Sequence, residues 1–167
     1  MKTLITNEQI VEMCKRIGGE LSQKFKDKNP LVVCVLKGAA PFHCELIKHM
    51  NIELEVDYLQ AKSYEGTTST NNLKIIKDLE SDILGRDVII VEDIVDTGLT
   101  LSKLKKELLK RNPSSLTFVA MLDKPSRREV EFNADFVGQE IDNLFVIGFG
   151  LDYNEKFRNL KDICIYE

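Results

Sequence analysis

The stretch Val88 to Ser102, VIIVEDIVDTGLTLS, decides the fold of this chain. Its first five residues, Val88 to Glu92, have the apolar, β-branched character of a strand that is buried on both faces. The acids Glu92 and Asp93 follow, and a short turn from Asp96 to Thr100 then opens a helical pattern. The order predicts a buried strand, an acidic strand end and a helix N-terminus within one continuous segment.

The residue types in this segment favour a sugar phosphate as ligand. In an open parallel α/β sheet such a strand end faces the ligand crevice, and free backbone N–H groups at a helix start attract an anion. Small hydroxyl residues and Gly98 let a phosphate come close to that backbone. Glu92 and Asp93 can accept hydrogen bonds from a diol or hold a hydrated divalent cation. The alternative is that Asp93 and Asp96 serve only as turn and cap residues.

Patterns on both sides of the central stretch predict alternating helices and strands. Helices are predicted from a Thr6–Gln9 capping box to near Lys28, from about Pro41, and from Gly98 to Asn112-Pro113. Strands are predicted over Leu31 to Leu36, Glu53 to Ala61, Leu73 to Leu79, Ser115 to Leu122, Phe136 to Ile141, Phe145 to Phe149 and Ile163 to Tyr166. We therefore predict one α/β domain over residues 1–167, with a mostly parallel central sheet flanked by helices.

The polar, hydroxyl-rich segment from Lys62 to Asn72, KSYEGTTSTNN, predicts a mobile loop between two strands. An ordinary connection is the alternative.

Composition excludes several classes of protein. The N-terminus MKTLITNEQ has no apolar signal-peptide run and no segment approaches a membrane span, so we predict a cytoplasmic protein without membrane contact. A net charge of −4 argues against a general nucleic-acid binder. The four cysteines have no CxxC spacing and are predicted to be free, buried thiols. His43 and His49 are predicted to pack or to face solvent rather than to bind a metal.

The central stretch resembles the phosphoribosyl-pyrophosphate (PRPP) binding motif of the type I phosphoribosyltransferases over its whole length: hydrophobic strand, Glu-Asp, two residues, Asp-Thr-Gly and Thr. The resemblance implies that family's fold, with a small hood formed by the terminal segments. It also implies that Glu92 and Asp93 bind the ribose hydroxyls, and that Asp96 is the general base. The residues implied for the ribose and the 5′-phosphate are Glu92, Asp93, Asp96, Thr97, Gly98, Leu99 and Thr100.

Further clusters resemble one branch of the family, the bacterial-type 6-oxopurine (hypoxanthine-guanine) phosphoribosyltransferases. Leu36-Lys37-Gly38 is similar to the pyrophosphate-binding loop, in which the Leu-Lys peptide is often cis. Arg158 matches an arginine that holds pyrophosphate, and guanidinium suits that role because its fork grips phosphate oxygens. Ser63-Tyr64 resembles the start of the flexible catalytic loop. Without the resemblance, Lys37 would be a strand-end lysine in solvent and Arg158 part of a solvated charge run.

Four residues match the base site of this branch. Lys124 matches the lysine that donates to the 6-oxo group of the purine; an ammonium cannot accept from an amino group, so it discriminates against adenine. Phe145 matches the aromatic ring that stacks on the base, with core packing as the alternative. Val146 matches the residue whose carbonyl reads the base edge. Asp152 matches a carboxylate near metal and base.

The resemblance implies an enzyme of purine salvage that transfers phosphoribosyl from PRPP to hypoxanthine or guanine, giving IMP or GMP and pyrophosphate. It implies Mg²⁺ as cofactor, held with Glu92, Asp93 and Asp152, and a homodimer or homotetramer. Basic residues beside the proposed site would offset the acidic net charge; they are Lys37, Lys62, Lys124, Arg127, Arg128 and Arg158.

Two other functions stay open at the level of the sequence. Leu144, Gln139 and Asp142-Asn143 differ from the family's usual residues and are expected beside the base pocket, which leaves a xanthine-preferring enzyme possible. A PRPP-sensing regulator that binds nucleic acid is the second alternative, and it predicts an added DNA-binding domain or a broad basic face.

Overall fold

The central strand predicted from the sequence lies inside a six-stranded sheet. The computed structural model describes residues 1–64 and 72–167. Its α-helices are α1 (Asn7–Lys24), α2 (Ala40–Ile47) and α3 (Leu99–Leu109). Its strands are β1 (Lys2–Ile5), β2 (Leu31–Val35), β3 (Glu55–Ser63), β4 (Leu73–Lys77), β5 (Asp87–Val95), β6 (Ser115–Asp123), β7 (Phe136–Glu140), β8 (Val146–Ile147) and β9 (Ile163–Ile165). A 3₁₀ turn, Pro125–Arg127, follows β6.

The large sheet has the strand order β4-β3-β2-β5-β6-β7. Its pairs are parallel except for β3 with β4, which is antiparallel. The carboxyl ends of β2, β3, β5 and β6 therefore meet at one edge, which is where an open parallel sheet binds ligands. The predicted α/β class and mostly parallel sheet are confirmed.

Helices cover both faces of this sheet, and β5 shows why. Successive side chains of a strand point to opposite faces. Ile89 and Val91 pack in the core beneath α1 and α2, whereas Val88 and Ile90 pack in the core beneath α3. The continuous apolar run of β5 is thus explained by burial on both faces.

A second, antiparallel sheet joins the two ends of the chain in the order β1-β9-β8. It corresponds to the hood expected from the resemblance. Strand β1 was not predicted, because four residues are too few to show a pattern in the sequence and only Ile5 of this strand is buried.

Several local expectations are confirmed and two need correction. The Thr6–Gln9 capping box is present in both directions. Helix α1 ends at Lys24 rather than near Lys28, because the chain turns there and Asp27 has a φ of 61°. The four cysteines are free and Cys14 and Cys34 are buried, but Cys44 is exposed on α2. His43 is buried and donates its Nε2–H to the carbonyl oxygen of Val32 at 3.1 Å.

The loop predicted over residues 62–72 falls mainly on residues 65–71, which lie outside the described residues. Lys62 and Ser63 end strand β3. None of the described helices combines the length and the apolar composition that a membrane span requires.

Candidate active site

The turn of residues 96–100 links the end of β5 to the start of α3. Gly98 adopts a left-handed φ of 83° as the N-cap of α3, a conformation that glycine reaches without steric cost. An added Cβ at Gly98 would lie 3.0 Å from Arg128 Cδ and 3.3 Å from Phe132 Cβ, so the turn is packed tightly from behind. The amide groups at the start of an eleven-residue helix give this turn the means to bind an anion.

Glu92 and Asp93 are half-buried at the end of β5. Burial, followed by the negative charge of Asp93, raises the pKa of Glu92 well above its usual range. Burial also raises the pKa of Asp93, against opposing hydrogen bonds from Glu92 and the Ile94 amide and the charge of Arg158. The pair therefore favours partners that donate hydrogen bonds or carry positive charge.

Two cavities of similar size meet at these residues. One has a volume of about 230 Å³ and is lined by Glu92, Asp93, Ile94, Asp96, Thr97, Gly98, Thr100 and Leu101. The other, of about 220 Å³, is lined by Asp93, Ile94, Asp96, Lys124, Phe145, Val146, Leu151 and Asp152. Because Asp93, Ile94 and Asp96 line both cavities, a ligand in one would meet a ligand in the other at Asp96. This geometry suits a reaction between two bound molecules.

The second cavity combines one cation with one exposed ring. Lys124 is only 8% exposed, and its ammonium group forms no hydrogen bond or ion pair with any described residue. Phe145 is 51% exposed, so it is not a core residue. Its ring meets Tyr153 edge-on at a centroid distance of 5.7 Å and Tyr166 at 5.9 Å, which leaves it supported at its edges. A flat, polar-edged ligand matches this pair of groups.

A third group of residues comes from two segments far apart in the sequence. We call Lys37, Gly38, Asp152, Glu155 and Arg158 the two-segment cluster. The peptide bond between Leu36 and Lys37 is cis, as the resemblance suggested. An added Cβ on Gly38 would overlap Oδ2 of Asp93, and one on Gly150 would overlap the carbonyl oxygen of Gly38. The segment of Lys37 and Gly38 is thus packed directly against the Asp93 carboxylate, and the segment that begins at Gly150 is packed against Gly38.

Ion pairs tie this cluster together. Lys37 Nζ lies 2.9 Å from Glu155 Oε2, and Arg158 Nη2 lies 3.0 Å from Glu155 Oε1. Arg158 also lies 3.4 Å from Asp152 Oδ1 and donates to the carbonyl oxygen of Gly150 at 2.7 Å. Lys37 and Arg158, predicted to act together, are therefore joined through one carboxylate.

Asp96 contacts two arginines whose individual roles the sequence did not indicate. Arg127 Nε lies 3.0 Å from Asp96 Oδ1. Arg128 donates to the Asp96 carbonyl oxygen, to Asp123 Oδ1 and to the Phe132 carbonyl oxygen, each at 2.7 Å. Arg128 thereby fixes the 96–100 turn to the end of β6. The only sequence signal was a basic pair shortly after Lys124, which does not show where either side chain bonds.

The remaining predicted loop residues lie close to the turn. Ser63 Oγ is 2.7 Å from Thr100 Oγ1. The Tyr64 amide donates to the Asn72 carbonyl oxygen at 3.0 Å, and its ring is half exposed. The end of β3 therefore lies beside the start of α3.

The residues that depart from the family's usual pattern line a cavity of their own. Gln139, Asp142 and Leu144, which were expected beside the base pocket, line a cavity of about 490 Å³ together with Pro125 and Ser126, the residues that follow Lys124. They are not among the described residues that line the cavity of Lys124 and Phe145. The chain bends at Asn143, where the Leu144 amide donates to the Asp142 carbonyl oxygen at 2.7 Å, and proximity in the sequence could not show which cavity each residue lines.

The described residues contain no ready-made metal centre. No group of three or more His, Cys, Asp or Glu side chains among residues 1–64 and 72–167 is arranged to hold a metal ion. Asp93 and Asp152 nevertheless line one cavity with Glu92 adjacent to Asp93. Mg²⁺ is commonly bound through one or two carboxylates together with substrate phosphates, so these oxygens fit a cation that arrives with a phosphorylated ligand.

A cysteine nucleophile does not fit the described site. Burial, with a smaller contribution from the charges of Glu92 and Asp93, raises the pKa of Cys34 to about 12. Its thiol therefore stays protonated at neutral pH and is a poor nucleophile.

Comparison with known proteins gives consistent matches over nearly the whole chain. The family model described as phosphoribosyl transferase domain matches residues 1–154. The hypoxanthine-guanine phosphoribosyltransferase of Bacillus subtilis (strain 168) is 48% identical over 165 residues, covering 98% of this chain and 92% of that protein. That of Lactococcus lactis is 47% identical over 165 residues, with 98% and 90% covered. The crystal structure of a hypoxanthine phosphoribosyltransferase from Staphylococcus aureus superposes with a TM-score of 0.95 at 42% identity, covering 100% of this chain and 91% of that one.

Proposed function

This chain belongs to the phosphoribosyltransferase family, and we propose that it is a purine salvage enzyme that transfers the phosphoribosyl group of PRPP to hypoxanthine or guanine. The products are IMP or GMP and pyrophosphate. The observation that carries the proposal is the meeting of the two cavities at Asp96: one contains an anion-binding turn and a pair of carboxylates, the other an ammonium and an exposed aromatic ring.

The first cavity fits the ribose 5-phosphate part of PRPP. The backbone amides and hydroxyls of residues 97–100 bind the 5′-phosphate at the start of α3. Glu92 and Asp93 accept hydrogen bonds from the ribose hydroxyls. The raised pKa values of this pair support the assignment, because hydroxyl donors stabilise carboxylates that are otherwise crowded and poorly solvated.

The second cavity fits a 6-oxopurine. Phe145 stacks on the ring, the ammonium of Lys124 donates to the 6-oxo group, and the backbone carbonyl of Val146 accepts from the base edge. An adenine would place an amino group opposite Lys124, so that two donors face each other in a buried position. The proposal therefore includes selectivity for 6-oxo over 6-amino purines.

The reaction needs a proton acceptor and a stabilised leaving group. N9 of the purine forms a bond to the anomeric carbon while the bond from that carbon to pyrophosphate breaks. Asp96 lines both cavities and accepts the proton that leaves N7 of the base. Lys37, the amide of Gly38 and Arg158 stabilise the negative charge that develops on pyrophosphate.

Mg²⁺ is the proposed cofactor, and Glu92, Asp93 and Asp152 are the residues that would hold it, directly or through water. When bound, it supplies positive charge that stabilises the leaving pyrophosphate. The absence of a complete protein ligand set among the described residues agrees with a cation that is bound jointly with PRPP.

The remaining predictions from the sequence belong to the same proposal. They are a homodimer or homotetramer, a cytoplasmic location, no nucleic-acid partner, closure of the 62–72 loop over the bound substrates, and Ser63 and Tyr64 at the start of that loop. The contact between Ser63 and Thr100 supports the last of these, because it joins the loop base to the phosphate-binding turn. No described feature favours the regulator or a xanthine preference over the 6-oxopurine enzyme.

Pyrophosphate release from PRPP tests the proposal, measured with Mg²⁺ and with hypoxanthine, guanine, xanthine or adenine in turn. We expect turnover with hypoxanthine and guanine and none with adenine. The Lys124→Gln variant should lose affinity for the 6-oxopurines while it still binds PRPP. If xanthine is the best substrate, the proposed reaction stands and the assignment of hypoxanthine or guanine as the base is wrong. If PRPP binds but no base is turned over, the proposal that the protein is an enzyme is wrong.

A further inference from the structure

Glu155 forms ion pairs with both of the cationic side chains that the proposed function assigns to pyrophosphate, Lys37 and Arg158. Its Oε2 pairs with Lys37 at 2.9 Å and its Oε1 pairs with Arg158 at 3.0 Å. Each oxygen of a single carboxylate is therefore used by a different cation, in the way that two oxygens of a bound phosphate group would be used. Glu155 has no role predicted from the sequence, where it lies in a charged run between Asp152 and Arg158.

The backbone presents this carboxylate at a defined place. The Glu155 amide donates to Asp152 Oδ2 at 2.9 Å. Asn154 and Glu155 have left-handed φ values of 51° and 66°, which are uncommon for residues other than glycine. Such backbone is held by its surroundings, and it concentrates at functional sites.

Arg158 is held more firmly than Glu155. Arg158 is anchored independently, because it donates to the Gly150 carbonyl oxygen at 2.7 Å and its side chain is largely buried. The Glu155 side chain is 62% exposed, so water can receive it when it leaves. Arg158 also has a buried Nε without a hydrogen-bond partner among the described residues.

We propose that Glu155 is an internal competitor for pyrophosphate, which pairs with Lys37 and Arg158 in the free protein and is displaced from both when PRPP binds. The inference rests on the proposed function and adds a determinant of affinity to it. A diphosphate with bound Mg²⁺ offers more oxygens than one carboxylate and displaces it. After the transfer, Glu155 pairs again with Lys37 and Arg158. These ion pairs replace part of the interaction energy that is lost when pyrophosphate leaves, so pyrophosphate is released faster.

Titration calorimetry with pyrophosphate and Mg²⁺ tests this inference on the wild-type protein and on Glu155→Gln. Glutamine keeps the shape of the side chain and removes its charge. We expect pyrophosphate to bind roughly threefold to tenfold more tightly to Glu155→Gln, the range for the loss of two competing exposed ion pairs. In the forward reaction the KM for PRPP should fall while the KM for hypoxanthine stays the same.

Glu12→Gln is the matched control. Glu12 forms an exposed ion pair with Lys15 at 3.1 Å on α1, so this variant loses the same charge from the same kind of contact away from the site. Glu12→Gln should bind pyrophosphate with the affinity of the wild type. If both variants gain the same affinity, the gain comes from the change in net charge alone and the inference is wrong. Damage to the structure would weaken binding, so a gain in affinity cannot arise from it.

Lys37→Met separates this inference from the proposed function. If the wild type binds pyrophosphate and Lys37→Met loses binding, but Glu155→Gln binds no more tightly than the wild type, then Glu155 is not a competitor and the pyrophosphate site stands. If the wild type does not bind pyrophosphate with Mg²⁺ at all, both the inference and the assigned pyrophosphate site are wrong.

Discussion

The 96–100 turn and the two-segment cluster are built in opposite ways. The turn is continuous in sequence, follows β5 directly and presents backbone amides at the start of α3. The cluster joins Lys37 to Glu155 across 118 positions and is held by side-chain ion pairs and by two glycine contacts. A site of backbone groups is fixed once the helix forms, whereas a site of paired charges can exchange its partners. This difference fits the proposed roles of the two regions. The 96–100 turn would hold the 5′-phosphate in place, and the two-segment cluster would bind pyrophosphate, which must leave.

The largest expected effect is a loss of turnover when the proposed general base of the 96–100 turn is replaced. Asp96→Asn removes the proposed base while it keeps the size of the side chain and the backbone of the turn. We expect kcat to fall by roughly 10² to 10⁴-fold, the usual contribution of a general base. The affinity for PRPP, measured by calorimetry, should change little because the amides of the turn are intact.

Asp82→Asn serves as its control, since Asp82 is an exposed loop residue before β5. This variant should keep wild-type turnover. Unchanged turnover in Asp96→Asn would remove Asp96 from the role of base.

The second prediction tests the tight contact between the two regions. An added methyl group on Gly38 overlaps the Asp93 carboxylate, so Gly38→Ala must displace the Lys37 loop or Asp93. A displacement of about 1 Å costs on the order of 10²-fold in kcat/KM when it misplaces reacting groups. Steady-state kinetics with varied PRPP would measure this loss.

Gly19→Ala is a matched control, because a Cβ at Gly19 meets no atom within 4 Å. Gly19 lies within α1, where alanine favours the helix by about 1 kcal/mol over glycine. The control should therefore be fully active and slightly more stable. Equal activity of both variants would show that the Gly38 contact is not needed for function.

The smallest expected effect is on the pH dependence of the free energy of unfolding, through the buried residue His43. His43 lies on α2, the helix that follows the Lys37 loop, and burial lowers its pKa from the usual 6.5. Well above pH 6.5 the imidazole is neutral in both the folded and the unfolded state. As the pH falls below 6.5, the unfolded state takes up a proton that the folded state resists, so the free energy of unfolding decreases.

Urea unfolding between pH 7.5 and pH 5 would measure this slope in the wild type and in His43→Gln, which lacks the titrating group. The slope should be smaller in His43→Gln. Identical slopes in the wild type and His43→Gln would show that the buried imidazole does not couple stability to pH in this range.

Sequence patterns predicted the parts of this protein that depend on near neighbours. The strand β5, the capping box of Thr6 and Gln9 and the turn at Gly98 all follow from residues within a few positions of one another. The prediction was poorest for β1, which is stable only through its pairing with β9 at the other end of the chain. Short strands of this kind have no pattern of their own, because their stability comes from the partner.

In the candidate site too, the sequence indicated residues but not the contacts between distant segments. The residue types of the motif indicated a sugar phosphate, and the resemblance supplied Lys37, Lys124, Phe145 and Arg158. Neither could show that Arg128 bonds the Asp96 carbonyl oxygen or that Glu155 bridges Lys37 and Arg158. Such contacts depend on side-chain directions across distant segments, which spacing along the chain does not encode.

The sequence by itself determined a buried parallel strand with an acidic end, the helix that follows it and the anion-binding turn between them, because hydrophobic periodicity and local backbone preferences act over a few residues. Only the tertiary structure decided that two cavities share Asp93, Ile94 and Asp96, and that Gly38 packs on Asp93. It also placed Gln139, Asp142 and Leu144 on a separate cavity. The physical reason is that the parallel sheet aligns the ends of strands that are far apart in the chain, so the neighbours of each site residue are set by strand order rather than by sequence.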